Sequence, residues 1–166
     1  CLETSAARAF TAPTTASANK RTLYDSYQVQ RGSIIVGGAA IAYSTPSTDI
    51  YSFQRTYVDP DMWAPVTGYI NPVLQSSTGI ERAMNSELSG TSGTAFFQRI
   101  EQIISGQKPR GSSVVLSLDA AVQRAAYDAL GDLEGAVVAI EPATGRILAM
   151  VTSPSFDTNL LASHDT

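Results

Sequence analysis

The chain has 166 residues, of which 43% are hydrophobic, enough for one domain or for one small domain plus part of a second. Its formal net charge of −4 argues against nucleic acid or an anionic membrane surface as a partner, because charge would draw neither to it. The single cysteine, Cys1, excludes an internal disulfide and a cysteine-rich metal site. At the first position it would suit a lipid-modified N-terminus, but an arbitrary first residue is the simpler interpretation.

The first third of the chain predicts a tether followed by small strands. Residues 1–20 are dominated by Ala, Thr and Ser without an apolar period, which is typical of a tether. The runs 31–36 and 39–43 flank Gly37-Gly38 and predict a β-hairpin. Residues 51–57 alternate aromatic with polar side chains and predict a half-exposed strand ending at Asp59-Pro60.

Two short helices are expected next, after an irregular segment. Residues 63–72 contain two prolines and a glycine, so we predict an extended loop in which Trp63 and the tyrosines are packing anchors rather than a sugar-stacking groove. Thr78 and Glu81 have the capping-box spacing, which predicts a helix to Leu88 stopped by Gly90. A second helix is predicted over 94–105 from its apolar face, and the breaker-rich stretch 108–113 is the candidate domain boundary.

The last third has the densest apolar pattern of the chain. Residues 114–118 predict a strand, and Asp119 stands where a helix N-cap would lie. The apolar stripe of the helix that follows is predicted to be Val122, Ala125, Ala126, Ala129 and Leu130, with Gly131 closing the helix. In this interpretation Gln123 is a helix-surface group.

A second β-hairpin is predicted over 136–140 and 147–151. Pro142 pre-sets a type I turn and Gly145 suits a bulge. Because both faces of each strand are apolar, we expect a sheet covered on both sides, by more protein than this chain supplies. The fold class is therefore α+β: a module of hairpins and two helices over 21–110, then a strand-helix-hairpin unit over 111–166 that begins a larger domain.

These patterns resemble one known family. The run LSLDAAVQRAAYDALGDLEGAVVAIEPATGRILAMVTSPSFDTN, residues 116–159, is similar to the opening of the transpeptidase domain of class B penicillin-binding proteins. The motifs Arg31-Gly32-Ser-Ile34, Arg55-Thr-Tyr57 and Gly79-Ile80-Glu81 resemble those of the family's N-terminal non-catalytic module. The sequence is most similar to the actinobacterial branch of the family. Val36-Gly37 stands where many members have an Asp-Arg pair, which puts any contact of that pair in doubt.

The resemblance implies a parent enzyme whose active site lies elsewhere. The family is a serine D,D-transpeptidase with a serine β-lactamase-like fold, using Ser-x-x-Lys, Ser-x-Asn and Lys-Thr/Ser-Gly motifs. The matches Ser17…Lys20 and Ser105…Lys108 lie in the tether and at a helix end, where no pocket would lower a lysine pKa, so we interpret both as chance. The chain is then truncated before the nucleophile, and no catalytic residue, cofactor or metal site is predicted in it.

The role implied for the chain itself is scaffolding or interaction. The implied partners are the catalytic remainder of the same protein and a membrane lipid-II polymerase. Peptidoglycan stem peptides and β-lactams would be ligands of the parent only. The family is anchored on the extracytoplasmic face of the cell membrane by a segment that the sequence does not show. The alternative is a stand-alone cell-envelope interaction module without catalysis.

Four residues are predicted to matter structurally: Arg31, Gly32, Glu81 and Asp119. In the family the Arg-Gly strand lies near the Gly-x-Glu helix start, so the resemblance implies a direct contact between Arg31 and Glu81. A guanidinium and a carboxylate at a helix N-terminus gain charge-assisted hydrogen bonds and the helix dipole. His164, a single histidine on a polar chain end, is assigned no role and is expected to be solvated.

Overall fold

The fold is α+β, as the computed structural model shows for residues 29–93, 104, 106 and 110–164. The strands are β1 Ile34–Val36, β2 Ala39–Pro46, β3 Phe53–Tyr57, β4 Ile70–Asn71, β5 Ser76–Ser77, β6 Val114–Val115, β7 Gly135–Ile140 and β8 Ile147–Ser153. The helices are α1 Pro60–Thr67, α2 Gly79–Ala83, α3 Asn85–Leu88, α4 Ala120–Leu130 and α5 Thr158–Ala162. No helix within these described ranges has the length and apolarity needed to cross a lipid bilayer. The predicted tether and the predicted helix over 94–105 lie outside the described residues, apart from the single position 104.

A four-stranded sheet in the order β3-β2-β1-β6 organises the first part of the chain. The predicted hairpin of β1 and β2 is confirmed, and Gly37 and Gly38 have φ angles of 56° and 85°, which only glycine adopts freely. β6 pairs with β1 in parallel, through Ile34 with Val114. The strand predicted over 114–118 is only two residues long and belongs to the sheet of the first module. The boundary near residue 110 stays a prediction.

The extended loop predicted over 63–72 is wrong in its first half, because residues 60–67 form helix α1. Pro60 occupies the first turn, where its missing N–H costs nothing. Pro65 removes a donor inside the helix, yet Trp63 is 2% exposed and Met62 is 4% exposed. Burying these side chains against the sheet outweighs the lost hydrogen bond. The prediction that Trp63 is a buried packing anchor is confirmed.

Helix α4 begins and ends as predicted, but its buried face differs. The Asp119 carboxylate accepts from the amides of Ala121 and Val122 at 2.8 and 3.0 Å, and Gly131 closes the helix with φ of 48°. Within the predicted stripe Ala125 and Ala129 are exposed. Gln123 is fully buried, so the prediction that it is a helix-surface group is wrong.

The predicted hairpin of β7 and β8 is confirmed, and Gly145 in its loop has a positive φ of 74°. On one face Ala149 and Val151 are buried. On the other face Val138 and Ile140 are 51% and 56% exposed. The expected cover on both faces is therefore not supplied by the described residues of this chain.

One hydrophobic core joins both parts of the chain. Its buried members are Ile34, Val36, Ile41, Ala42, Tyr57, Met62, Trp63, Val66, Leu88, Leu118 and Ala162. The last two follow the predicted domain boundary, and they pack against the sheet and helix α1 of the first module. The module and the start of the second unit thus share apolar packing.

Candidate functional site

The most concentrated chemistry in the described residues is a buried ionic cluster centred on Glu81. Glu81 lies on α2 and is 0% exposed. The predicted contact with Arg31 is present, since Arg31 Nε donates to Glu81 Oε2 at 2.6 Å and Arg31 Nη2 donates to the Glu81 carbonyl at 2.7 Å. Arg31 Nη1 also donates to Asn85 Oδ1 at 2.8 Å. This guanidinium therefore joins the start of β1 to helices α2 and α3.

The capping box predicted at Thr78 is wrong, and the cluster explains why. The Thr78 side chain does not cap α2. Its Oγ1 accepts from the Tyr69 backbone N–H at 3.2 Å. Glu81 does not reach back to the Thr78 amide because both of its carboxylate oxygens are taken by guanidinium groups. Charge-assisted hydrogen bonds inside the protein are stronger than those of an exposed cap, so the Glu81 carboxylate binds the guanidinium groups instead of the Thr78 amide.

Arg55 is the second cation of the cluster, and the sequence interpretation did not assign it to a site. Its Nε donates to Glu81 Oε1 at 2.7 Å, and its Nη1 donates to the Gly32 carbonyl at 2.8 Å and to Ser44 Oγ at 3.3 Å. Arg55 is only 5% exposed. The available signal was its position, because a two-residue period along β3 puts Arg55 on the same face as Tyr57.

Tyr57 completes the cluster as a neutral donor and acceptor. Its hydroxyl donates to Glu81 Oε1 at 3.3 Å and accepts from the Ile70 backbone N–H at 3.1 Å. Burial, followed by the negative charge of Glu81, raises the pKa of Tyr57 well above its ordinary value of 10.0. We call Arg31, Arg55, Tyr57 and Glu81 the Glu81 cluster. It holds two guanidinium groups against one carboxylate.

Gly32 is required beside this cluster by close backbone approach. A Cβ atom on Gly32 would lie 1.9 Å from the Ser112 carbonyl oxygen. Gly32 N–H donates to the Leu88 carbonyl at 2.8 Å while its own carbonyl accepts from Arg55. The Arg31-Gly32 pair thus places a guanidinium group and a backbone without a side chain where its own segment meets those of Leu88 and Ser112. The broader role of Arg31, Gly32, Glu81 and Asp119 in interactions with partners stays a prediction.

Gln123 ties the second unit to the module. Its Nε2 donates to the carbonyls of Met62 on α1 at 3.0 Å and Met150 on β8 at 2.9 Å. Its Oε1 accepts from the Met150 amide at 2.8 Å. The Asp119 amide adds a bond to the Leu148 carbonyl at 2.9 Å. The start of α4 therefore satisfies the outer edge of β8 as a neighbouring strand would.

Asparagine and glutamine side chains attach α5 to the module in the same way. Asn159 Oδ1 accepts from the Tyr57 amide at 2.8 Å, and its Nδ2 donates to the Tyr57 carbonyl at 3.0 Å. Gln54 Nε2 donates to the Ala162 carbonyl at 2.9 Å, and Asn71 Nδ2 donates to that of Leu161 at 2.6 Å. The Asn159 carboxamide thus pairs with both a donor and an acceptor of β3, while Gln54 and Asn71 donate to carbonyls of α5. These hydrogen bonds fix the position of α5, and with it the second unit, on the module.

The expectation of a solvated His164 is wrong. Its side chain is only 11% exposed, its Nδ1 is hydrogen-bonded to Asp49 Oδ2, and its ring lies 4.8 Å from that of Tyr51. Partial burial would raise the pKa of Asp49, but hydrogen bonds from His164 and the Tyr51 amide hold that pKa below its usual value. The histidine therefore packs the chain end against the β2–β3 loop.

The described residues contain no pairing of a serine hydroxyl with a lysine amine. The chain has lysine only at positions 20 and 108, and both lie outside the described residues together with Ser17 and Ser105. The chemistry that the described polar groups can perform is charge pairing and hydrogen bonding. The site is suited to holding segments in place.

Comparison with known proteins gives this architecture a family. Residues 31–114, which contain the whole Glu81 cluster, match the model of the penicillin-binding protein A dimerisation domain. The chain belongs to this penicillin-binding protein family.

Relatives of the penicillin-binding protein A family extend the similarity beyond the module. The peptidoglycan D,D-transpeptidase PbpA of Mycolicibacterium smegmatis is 44% identical over 152 residues, which are 89% of this chain and 31% of that protein. PbpA of Mycobacterium tuberculosis is 43% identical over the same shares. The chain thus spans about a third of the length of these relatives and is homologous to their N-terminal region.

Solved structures agree with the sequence relatives. A ceftriaxone acyl-enzyme complex of M. tuberculosis penicillin-binding protein A superposes with a TM-score of 0.82 at 43% identity, over 86% of this chain and 33% of that one. PBP2 of Pseudomonas aeruginosa, solved in complex with WCK 5153, gives a TM-score of 0.63 at 33% identity, over 81% and 31%. The α+β fold and the predicted family are confirmed.

Proposed function

We propose that this chain is the N-terminal part of a membrane-anchored peptidoglycan D,D-transpeptidase, and that its own role is to carry and orient the catalytic domain. The observation that supports this most is that similarity to the mycobacterial transpeptidases covers 89% of the chain, module and hairpin unit together. In this proposal the complete protein cross-links stem peptides through an acyl-enzyme on a serine outside this chain. β-Lactams acylate the same serine.

The hydrogen bonds between the second unit and the module support a role of the module in orienting the catalytic domain. Asn159 uses both a donor and an acceptor atom on the Tyr57 backbone of the module, and Gln123 donates to the Met62 carbonyl of α1 while it bonds to Met150 within its own unit. These hydrogen bonds fix direction as well as distance. The Glu81 cluster holds the β-strands of the module to its helices from inside. A module built this way transmits position from the membrane side to the catalytic domain without bending.

The exposed face of β7 supports the presence of a covering partner. Val138 and Ile140 on β7 are more than half exposed, whereas Ala149 and Val151 on the opposite face of the hairpin are buried. Apolar side chains of this kind on one sheet face usually meet another protein surface. We assign that surface to the catalytic remainder of the same protein.

Two further elements of the proposal concern location and partner. The complete protein would act on the extracytoplasmic face of the cell membrane, where peptidoglycan is assembled. The module would offer its outer surface to a membrane lipid-II polymerase. Copurification of the complete protein with such a polymerase, with and without residues 1–110, tests the partnership. Retention of the polymerase after the deletion would contradict it.

A fluorescent penicillin tests the catalytic part of the proposal. We expect the complete protein to form a covalent adduct that survives denaturing electrophoresis, and this chain alone to form none. Preincubation with unlabelled penicillin should abolish labelling. A stable adduct on this chain alone would show that a nucleophile lies within it and would contradict the proposal.

The substitution Val138→Lys tests the covered face. In this chain alone the lysine is solvated, so the free energy of unfolding should change by less than about 0.5 kcal/mol. In the complete protein the same lysine would be buried, and the melting temperature should fall clearly. Thr91→Lys, at an exposed position of the module, is the matched control. Equal effects of Val138→Lys in the two proteins would argue against the cover.

A further inference from the structure

An open apolar cleft lies where the module meets the second unit, and its volume is about 250 Å³. Of the described residues that line it, none is charged and only Ser117 has a polar side chain. The Ser117 hydroxyl is engaged, because it donates to the Ile147 carbonyl at 3.0 Å. We call this space the Met150 cleft, and its apolar lining includes Val66, Ile80, Leu116, Leu118, Ile147 and Met150.

The lining determines the chemistry of what the Met150 cleft can bind. Since the described lining offers no free polar side chain, affinity there must come from apolar surface that is removed from water. The cleft is smaller than the clefts of about 300–1,000 Å³ that bind drug-sized molecules. One or two apolar side chains that project from another protein surface fit both its size and its chemistry.

The Met150 cleft is continuous with the exposed face of β7. Residues that stand directly opposite each other on antiparallel strands have their side chains on the same face of the sheet. Met150 stands opposite Val138, and Ile147 stands opposite Ile140. Val138 and Ile140 are the two side chains that are more than half exposed. The cleft and this face therefore form one apolar surface, which a single partner can cover.

Two observations indicate which partner this is. A second copy of the chain in a symmetric dimer would bring the same concave surface, so that one hollow would face another and neither would be filled. The matched region is 31% of the mycobacterial relative, so about two thirds of a protein of this kind lies outside it. That remainder is also the partner to which the exposed face of β7 is assigned above.

We propose that apolar side chains from the catalytic remainder of the same protein fill the Met150 cleft. The proposal rests on the proposed transpeptidase parent and adds a direct contact between that remainder and the module. Val66 on α1 and Ile80 on α2 belong to the module, whereas Ile147 and Met150 belong to the second unit. The catalytic domain would then be held on the module by packing as well as through the chain that joins them.

The three methionines of the chain supply a test with built-in controls. Met62 is 4% exposed and Met84 is 38% exposed, while Met150 is partly exposed in the cleft. Their methyl groups are isotope-labelled, assigned by Met→Leu substitution, and observed by NMR in the presence of a neutral gadolinium chelate. In this chain alone the chelate should broaden the signals of Met84 and Met150 but not that of Met62. In the complete protein the broadening of Met150 should fall at least by half.

A substitution in the module shows whether the contact reaches it. Ile80→Lys places a charge in the cleft, where a covering surface would have to bury it. In the complete protein this change should make Met150 accessible again, while a protected Met62 signal shows that the module is still folded. Arg82→Lys, at an exposed position of the same helix, is the matched control and should leave Met150 protected.

Three results would overturn the proposal. These are a Met150 that is equally accessible in both proteins, a Met150 that is already protected in this chain alone or becomes so as its concentration rises, and continued protection of Met150 in the folded Ile80→Lys variant. Labelling of the complete protein by fluorescent penicillin separates this failure from that of the proposed function. An adduct with an accessible Met150 refutes the contact alone, whereas a protected Met150 without an adduct refutes the transpeptidase activity and leaves the contact in place.

Discussion

Glu81→Gln is the sharpest test of how the module is held together. The change keeps the shape of the side chain but removes the charge that two buried guanidinium groups share, at 2.6 Å from Arg31 and 2.7 Å from Arg55. The new amide also turns N–H donors toward groups that can only donate. Breaking a buried ion pair from one side costs about 3–5 kcal/mol, because the remaining charge stays buried and unpaired.

This cost converts into a large thermal shift. For a chain of this size 1 kcal/mol corresponds to about 2–4 °C, so the melting temperature should fall by about 6–20 °C. Urea unfolding of the full chain, followed by circular dichroism, measures the free energy directly. Glu87→Gln is the matched control, because Glu87 lies on the next helix, α3, is only half-buried, and its carboxylate accepts a hydrogen bond from the neighbouring Ser86 hydroxyl. We expect the control to change stability by less than about 0.5 kcal/mol.

A combined variant separates charge from packing. Replacing Glu81, Arg31 and Arg55 together by Leu, Met and Met removes all three charges and keeps most of the volume. Such replacements of complete buried ionic groups are often neutral or stabilising. The triple variant should therefore be more stable than Glu81→Gln alone. If Glu81→Gln lies within about 1 kcal/mol of the unchanged protein, our description of the cluster as a mutually dependent ionic unit is wrong.

Three other substitutions give independent expectations. Tyr57→Phe should cost about 1–3 kcal/mol, because a backbone amide loses its buried acceptor. The raised pKa of Tyr57 means that the folded state keeps a proton that the unfolded state loses, so stability is intact below pH 10.0 and falls above it by about 1.4 kcal/mol per pH unit. The free energy of unfolding, measured as a function of pH above 10.0, should fall less steeply in Tyr57→Phe than in the unchanged protein. An equally steep fall in both would contradict the assignment to Tyr57. Gln123→Ala should cost about 2–4 kcal/mol by leaving buried carbonyls and an amide unpaired, against at most about 1 kcal/mol for Arg124→Gln in the exposed ion pair, both measured by urea unfolding. Gly32→Ala should prevent or severely weaken folding, whereas Gly93→Ala, with open space around it, should not, and similar yields of folded protein would refute the steric argument.

The two carboxamide contacts of the second unit show where sequence patterns fail. Gln123 follows a valine and precedes an arginine on a helix, and nothing local distinguishes it from a solvated side chain. It is buried because the edge of β8 and the first turn of α1 converge on it from 27 and 61 residues away. A polar residue belongs inside only when distant backbone groups satisfy it. That information is absent from any window of sequence.

Local signals, by contrast, were sufficient wherever the backbone decides the outcome within a few residues. The two-glycine turn at 37–38, the loop at 141–145, the Asp119 cap and the helix end at Gly131 depend on conformations that their own residues favour. The family motifs added the contact between Arg31 and Glu81, which spacing alone does not contain. Tertiary structure alone decided that residues 60–67 are helical despite Pro65, that Arg55 joins the same carboxylate, and that Val114 extends the module's sheet. The reason is that burial and charge pairing across dozens of residues outweigh local preferences of about 1–3 kcal/mol.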